Sequence, residues 1–423
     1  MKKVILVVSL LAVMCLLSGC MFLSGTELEA MFSKEKRNDQ TVITGQNSAD
    51  GFISISSEEY EEYQRLRKFT ELADLYDAAE QYFYHEPDTS KMLEYAAKGL
   101  MAGLDDPYSF YYSPEEFEQM MEDDEGKYVG IGVMILSNMK ENTCVISRVF
   151  KGSPAEEAGV MRGDLLYRVE DDLYVTAENV QEAVNIMRGE PGTSVNVTFI
   201  RNGEEITFSI VRKEVNVNQV ESTLLEPGIG YIALYEFQGA ADKEFEDALN
   251  ELTAQNISGL IIDLRDNSGG WVSQAQAIAD LFMDKGELCY LVYRDGTEEH
   301  FYKTKDGKVD LKIVVLVNEM SASSSEILTG ALRDRADATI VGTTTFGKGI
   351  VQNVLMVGDQ GAGFQITIAE YFTPNGNAVH EVGIEPDVII ERPEGDSGTY
   401  DFADVDHDIQ LKTALDVMKE KLK

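Results

Sequence analysis

Between residues 229 and 335 the chain alternates between two kinds of segment, and this alternation restricts the fold more than any other feature. Strand-like apolar runs at 229–235, Gly259–Leu264 and Ile313–Val317 are each followed by a helical stretch, at 241–255, 271–284 and 323–335. A helix between two strands returns the chain to start the next strand in the same direction. The pattern therefore predicts an α/β core whose sheet is at least partly parallel.

Composition narrows the function before any motif is read. Of the 423 residues 36 are Lys or Arg and 74 are Asp or Glu, giving a net charge of −38. A nucleic-acid partner is excluded on this ground, because phosphate recognition needs clustered basic residues. With 44% apolar and 26% charged residues and 9 prolines, most of the chain should fold. The four cysteines, Cys15, Cys20, Cys144 and Cys289, form no CxxC or zinc spacing. Cys144 and Cys289 read as buried free thiols, and neither a metal nor another cofactor is called for.

The first twenty residues, MKKVILVVSLLAVMCLLSGC, carry two lysines and then an apolar stretch too short for comfortable spanning, which is the form of an export signal. Its end, Leu17-Ser18-Gly19-Cys20, resembles the lipobox of bacterial lipoproteins. That resemblance implies cleavage after residue 19, lipidation of Cys20, and attachment to the outer face of a bacterial membrane. The mature chain, without Lys2 and Lys3, is more acidic still, so the acyl chains must hold it without help from anionic lipids.

The remaining chain divides into five stretches. Residues 20–57 are polar and aperiodic and read as a tether. In 58–126, Tyr63, Leu66, Phe69, Leu72 and Tyr76 recur at helical spacing. Farther on in that region come Asp106-Pro107, a Tyr/Phe cluster, Ser113-Pro114, and an acidic run at 122–125 read as a solvated loop. Residues 127–213 form a β-rich unit, with strands at 130–137, 143–149, 164–169, 194–201 and 205–212 and a helix near 178–188. The α/β core occupies 214–393. A helical tail, 394–423, ends in an amphipathic helix at 407–422; Asp404, Asp406 and Asp408 suit its N-terminus better than they suit a metal. The whole is an α/β multidomain chain: helical N-terminal region, β-rich unit, and core with a mixed sheet.

Within the β-rich unit, Val129-Gly130-Ile131-Gly132-Val133 precedes Gly152-Ser153-Pro154-Ala155 and Gly159-Val160-Met161-Arg162-Gly163-Asp164. This arrangement resembles a bacterial PDZ domain. Glycines at 130 and 132 let main-chain N–H groups point at a peptide's terminal carboxylate. The peptide then adds as a strand between the 131–137 edge and the helix, over a pocket of Ile131, Val133, Val184 and Met187. Arg188, at the helix end, either senses the peptide or caps the last carbonyls.

Two blocks in the core carry chemistry. Asn318-Glu319-Met320-Ser321-Ala322-Ser323-Ser324-Ser325-Glu326 lies between a strand and a helix, where a serine hydroxyl can face a cleft. Taken alone, Ser323 with Glu326 three residues on reads rather as a helix capping box, which needs no catalysis. Then Thr345-Phe346-Gly347-Lys348-Gly349 sets a lysine between glycines in an uncharged run, where desolvation favours the neutral amine, a base for a serine. His85, His300, His380 and His407 have no context for a Ser-His-Asp triad.

Residues 60–420 as a whole resemble the carboxy-terminal processing proteases, also called tail-specific proteases. The matching pieces are Leu264-Arg265-Asp266-Asn267-Ser268-Gly269-Gly270, the serine block, the lysine block with Val351-Gln352, Tyr371-Phe372-Thr373-Pro374, and Gly383-Ile384-Glu385-Pro386-Asp387. The resemblance implies Ser323 as nucleophile, Lys348 as base, Gln352 as the residue orienting the lysine, and an oxyanion hole from Gly269 or Gly270 with Ser324. It alone selects Ser323 over Ser321, Ser324 and Ser325. It implies a serine endopeptidase acting on proteins with free C-termini, and a homodimer through 58–98 and 407–422. The rival readings are a non-catalytic PDZ scaffold and an acyl-transfer enzyme; intact Ser323, Lys348 and Gln352 argue against the first, and the β-rich unit goes unexplained by the second.

Overall fold

The structure, a computed structural model, describes residues 43–47, 51–124, 126–139, 141–302, 309–393 and 402–423. The export signal, Cys20 and most of the expected tether lie outside these residues.

The core is built on a six-stranded sheet in the order Val220–Glu226, Ile229–Leu234, Gly259–Asp263, Lys312–Val317, Thr339–Gly342, Val388–Ile389. Its first pair is antiparallel and the other four pairings are parallel, so the sheet is mixed. Alternate residues along these strands point to opposite faces. Ile232, Leu234, Leu260, Ile262, Val315 and Val317 share one hydrophobic cluster with the helices Ala241–Thr253, Val272–Ala279 and Ser324–Ala336. Tyr231, Ala233, Ile261, Val314 and Leu316 pack instead on Leu411, Ala414, Leu415 and Met418 of the last helix, Ile409–Lys421. With both faces covered, all of Gly259–Asp263 is buried. The terminal helix therefore turns its apolar side to the sheet, and Asp408 alone of the three acids caps it, accepting from the N–H groups of Gln410 and Leu411.

A second, antiparallel sheet runs Glu298–Tyr302, Glu287–Tyr293, Ala362–Phe372, Ile350–Val357. Onto its long strand adds Phe110–Tyr112, with Phe110 opposite Gln365 and Tyr112 opposite Gly363. The chain thus enters the core before it forms the β-rich unit, which is inserted between two stretches of core. The acidic run is not the loop expected from its charge. Residues 122–124 end the helix Pro114–Asp124, whose start is fixed by Ser113 and Glu116: Ser113 N–H donates to the Glu116 carboxylate at 2.8 Å.

In the β-rich unit the order is Glu204–Val211, Ser194–Arg201, Leu165–Val169, Thr143–Val149, Val133–Asn138, which leaves the last strand at the edge. That strand starts at Val133 and not at 130. Lys127–Gly130 pairs with Lys213–Asn216 instead, and Gly132, with φ of +87°, breaks the run between them. A side chain at Gly132 would meet the Ser153 Cβ at 2.2 Å, so only glycine permits this turn.

Upstream, the strands Ile43–Asn47 and Gly51–Ile55 pair antiparallel, Ile43 opposite Ile55, where the polar composition had suggested only a tether. Three helices follow, Ser57–Leu66, Thr70–Tyr82 and Thr89–Ala102, and none of them has a buried residue. Leu66, Phe69, Leu72, Leu75, Tyr82 and Phe83 are all exposed. Among the described residues no helix is long and apolar enough to cross a membrane.

Candidate active site

Ser323 stands where the strand Lys312–Val317 gives way to the helix Ser324–Ala336, with φ 53° and ψ −114°. This conformation is costly for a residue with a Cβ, and it occurs where surrounding contacts enforce it. The contacts are visible: the Ser323 carbonyl accepts from the N–H groups of Glu326 at 2.8 Å and Ile327 at 2.9 Å and from the Tyr371 hydroxyl at 3.1 Å. None of these bonds uses the Ser323 hydroxyl. The other three serines of the block are anchored by theirs. Ser321 donates to the Leu264 carbonyl at 2.7 Å, Ser324 to Gly270 at 2.7 Å, and Ser325 to Asn267 at 2.9 Å.

The Gly269-Gly270 turn lies directly against this serine. Gly269 has φ of +109° and Gly270 of +133°, and a Cβ on Gly269 would come within 2.9 Å of the Ser323 Cβ and 3.1 Å of the Ser324 nitrogen. On its other side the turn is held by Phe237, whose N–H donates to the Gly269 carbonyl at 2.8 Å. The Gly269 N–H donates to Asn267 Oδ1 at 2.9 Å. No hydrogen bond to another described residue takes up the N–H of Gly270, so of the two glycines it is Gly270 that can donate to an oxyanion.

Lys348 is 1% exposed and Gln352 is fully buried. The Lys348 Nζ lies 4.8 Å from the centre of the Tyr108 ring. Gln352 Nε2 donates to Thr367 Oγ1 at 3.2 Å, while its Oε1 has no hydrogen-bond partner among the described residues, an acceptor open to an ammonium group.

Glu326 organises the site more than its capping role suggested. It caps the Ser323 N–H, and its carboxylate also accepts from Thr345 Oγ1 at 2.6 Å, Gly347 N at 2.7 Å and Lys348 N at 2.9 Å. The cap therefore also holds the lysine block against Ser323. Burial pushes the Glu326 carboxyl up, and these hydrogen bonds only partly offset it. A second cluster ties the strand leading to the Gly269-Gly270 turn to the terminal helix: Arg265 bridges Asp263 at 2.6 Å and Asp408 at 2.7 Å. Burial alone would lower the Arg265 guanidinium's proton affinity, but the two carboxylates outweigh it and raise that affinity well above normal.

The expected peptide groove is partly closed core. Ile131 and Met187 are buried within the unit, and Val133 and Val184 pack on them at half-buried positions. The Ile131 and Gly132 carbonyls accept from Ala155 N at 2.8 Å and Phe150 N at 3.1 Å. In a trans peptide the paired N–H points the opposite way, so the N–H groups of Gly132 and Val133 turn outward. Val129 and Gly130 belong to the neighbouring strand, opposite Glu214 and Lys213. Arg188 closes the helix through its own N–H to the Val184 carbonyl, and its guanidinium lies 5.0 Å from the Tyr128 ring centre.

A serine at a strained strand-to-helix turn, abutting a Gly-Gly turn and joined to a sheet module with an open edge, defines a serine hydrolase with a peptide-docking domain. Comparison with known proteins agrees. Residues 228–390 match peptidase family S41 and residues 128–211 match the PDZ domain. The chain is 36% identical to the carboxyl-terminal-processing protease of Synechocystis over 331 residues, 76% of each chain. It is 35% identical to the carboxy-terminal processing protease CtpA of Bacillus subtilis over 83% of this chain and 74% of that one. A Bacteroides fragilis protein assigned to the S41 proteases shares the fold, with a TM-score of 0.54 at 17% identity over 82% of this chain and 97% of that one. The chain belongs to peptidase family S41, as a C-terminal processing serine protease that carries a PDZ domain.

Proposed function

We propose that the protein is an exported, lipid-anchored endopeptidase that cuts with a Ser323–Lys348 dyad and selects substrates by their free C-termini. The neutral Lys348 amine takes the proton of Ser323 Oγ as that oxygen attacks the scissile carbonyl carbon. The negative oxygen so formed is met by the N–H groups of Gly270 and Ser324. Lys348 then returns the proton to the departing amine; water, deprotonated by the same lysine, attacks the acyl carbon, and the lysine hands that proton to Ser323 Oγ as the Oγ–acyl bond breaks and the acid product leaves. Gln352 keeps the amine aimed at Ser323.

The observation that carries this reading is the contrast among the serines. Three hydroxyls of the block are fixed to main-chain carbonyls, whereas Ser323 sits at the strained turn beside Gly269. To test it, residues 20–423, made without lipid, are incubated with an unstructured protein, with and without Ser323→Ala. Loss of cleavage in the variant supports the dyad, and equal cleavage refutes it.

Anchoring rests on Cys20: Cys20→Ala should release the protein from membranes or stall its maturation while leaving its catalysis intact. Unchanged fractionation would count against it. Dimer formation rests on the helices of 57–102, which expose Leu66, Phe69, Leu72 and Leu75 without burying any residue. The terminal helix has its apolar side on the core sheet and is the weaker candidate. Sedimentation of chains with and without residues 57–102 distinguishes the two.

A further inference from the structure

The motif Asp106-Pro107-Tyr108-Ser109 lies outside both matched segments, 128–211 and 228–390, yet it reaches the catalytic lysine. Its polar groups are committed to one another and to the strand Ala362–Phe372. Gln365 Nε2 donates to the Tyr108 carbonyl at 3.0 Å, and the Thr367 N–H donates to Ser109 Oγ at 2.9 Å. The Asp106 carboxylate accepts the Tyr108 N–H at 3.0 Å and the Ser109 hydroxyl at 2.5 Å, and bonds the Thr367 side chain. That same Thr367 hydroxyl accepts from Gln352 Nε2. The strand Phe110–Tyr112 then pins the turn to the sheet. A turn held this firmly has one side chain left over, and it is the Tyr108 ring, 4.8 Å from Lys348 Nζ.

We infer that Tyr108 is a positioning residue for Lys348: the turn forms the ceiling of the lysine's pocket, excludes water from the amine, and fixes its direction. The inference rests on the Ser/Lys reading for its effect on catalysis, but not for the shielding itself. The ring face attracts an ammonium. Asp106 adds a carboxylate nearby. Burial would raise its carboxyl, but the hydrogen bonds from Ser109, Thr367 and Tyr108 and the Lys348 charge outweigh burial and hold it below its usual range. By reciprocity Asp106 favours the protonated lysine. The other ionisable groups around the lysine are Glu326, which accepts the Lys348 N–H, Tyr371 behind Ser323, and His380, which packs on the Gly349 backbone. The ceiling therefore performs two opposed tasks: it dries the amine and limits how easily it loses its proton.

The test reads both turnover and the lysine itself. Turnover of an unstructured protein substrate is measured across pH. Separately, in a Ser323→Ala background that cannot cut itself, the Lys348 amine is labelled with an acylating reagent and the adduct is mapped by mass spectrometry. Tyr108→Leu should lower kcat about tenfold or more with KM within about twofold, because positioning and not binding is lost. Labelling of Lys348 should rise severalfold in the same variant, and Tyr108→Phe, which keeps the ring, should recover most of both changes. Asp106→Asn should move the acid limb of the kcat profile to lower pH. Wild-type kcat in Tyr108→Leu, a change in KM alone, or unchanged labelling would overturn the inference. Lys348→Ala, assayed in parallel, separates the two failures: activity there refutes the dyad, whereas unchanged labelling in Tyr108→Leu refutes the ceiling with the dyad intact.

Discussion

Glu326 Oε2 accepts the main-chain N–H of Lys348 at 2.9 Å, and the same oxygen accepts that of Ser323 at 2.9 Å. The two residues come from different elements, a helix start and a loop, and one buried carboxylate fixes their spacing. Two carboxylate oxygens receive four donors here, an acceptor capacity that an amide or hydroxyl side chain lacks.

Glu326→Gln should therefore cost both activity and stability. An amide keeps one acceptor oxygen and turns a donor toward N–H or O–H groups that need acceptors, at about 1–3 kcal/mol for each left unpaired. We expect kcat to fall about 10- to 100-fold and the melting temperature to drop. The pH dependence has a definite sign. Burial raises this carboxyl, so the folded protein binds its proton more tightly than the unfolded chain does. Glu326's contribution is then full below the ordinary glutamate range and declines as pH rises through that range toward the raised value. Denaturant titrations at several pH values should show the wild type's advantage over Glu326→Gln shrinking across that window, and growth instead would contradict it.

Ser323→Ala and Lys348→Ala should each abolish cleavage in a folded protein, since base assistance alone is worth roughly 10²- to 10⁴-fold. Gln352→Ala should reduce kcat less completely, because it orients the base without carrying the proton. Activity should persist in EDTA. A loss that added zinc restores would point to a different mechanism.

How much of this was legible in the chain depends on distance along it. The strands and helices of the α/β alternation and the glycine turns of the edge-strand module are each local patterns, and so are the serine block and the lysine block, although the serine block alone did not single out Ser323. Gly132 was readable as a turn, but Gly130 was not readable as the end of a strand, because its partner Lys213 lies on the far side of the unit. Glu326 was visible only as a cap, since its bonds to residues 345–348 exist only after the loop closes over the helix. The pairing of Phe110–Tyr112 with Ala362–Phe372 spans some 250 residues and leaves no periodic trace.

The bridge from Arg265 to Asp408 has the same non-local character, and it makes a prediction about stability. The three side chains Arg265, Asp263 and Asp408 are 11%, 8% and 3% exposed. Arg265→Met leaves two buried carboxylates without their cation, which should cost about 3–5 kcal/mol in urea denaturation. Because Asp408 also caps the terminal helix, limited proteolysis should cut first within 402–423. A variant as stable as the wild type would show that the bridge contributes no net stability.

The PDZ domain's relation to the cutting site yields the last prediction. Its edge strand, Val133–Asn138, is open to a peptide, and Val133 pairs with Val149 on the neighbouring strand. One residue before Val149, Arg148 is buried with its guanidinium 3.7 Å from the centre of the Tyr235 ring. Two residues beyond Tyr235, Phe237 holds Gly269 of the turn proposed to supply the oxyanion donor. Few contacts therefore separate a peptide on this edge from the Gly269-Gly270 turn, and the domain can act by raising local substrate concentration or by shifting the active site between two arrangements. A short C-terminal peptide added in trans discriminates. Capture alone makes it a competitor of a tethered substrate, whereas switching makes it accelerate cleavage of an unrelated substrate that has no tail for the domain. We expect acceleration, because among the described residues Arg148 makes no direct ion pair and is held by the Tyr235 and Phe150 rings and the Asn218 carbonyl, with Glu221, Glu244 and Glu236 acting only at longer range, contacts that can be remade without stranding an ion pair. Arg148→Ala should abolish the acceleration while peptide binding persists. Competition in place of acceleration would leave capture only, and a substrate whose amidated C-terminus changes neither affinity nor rate would refute both.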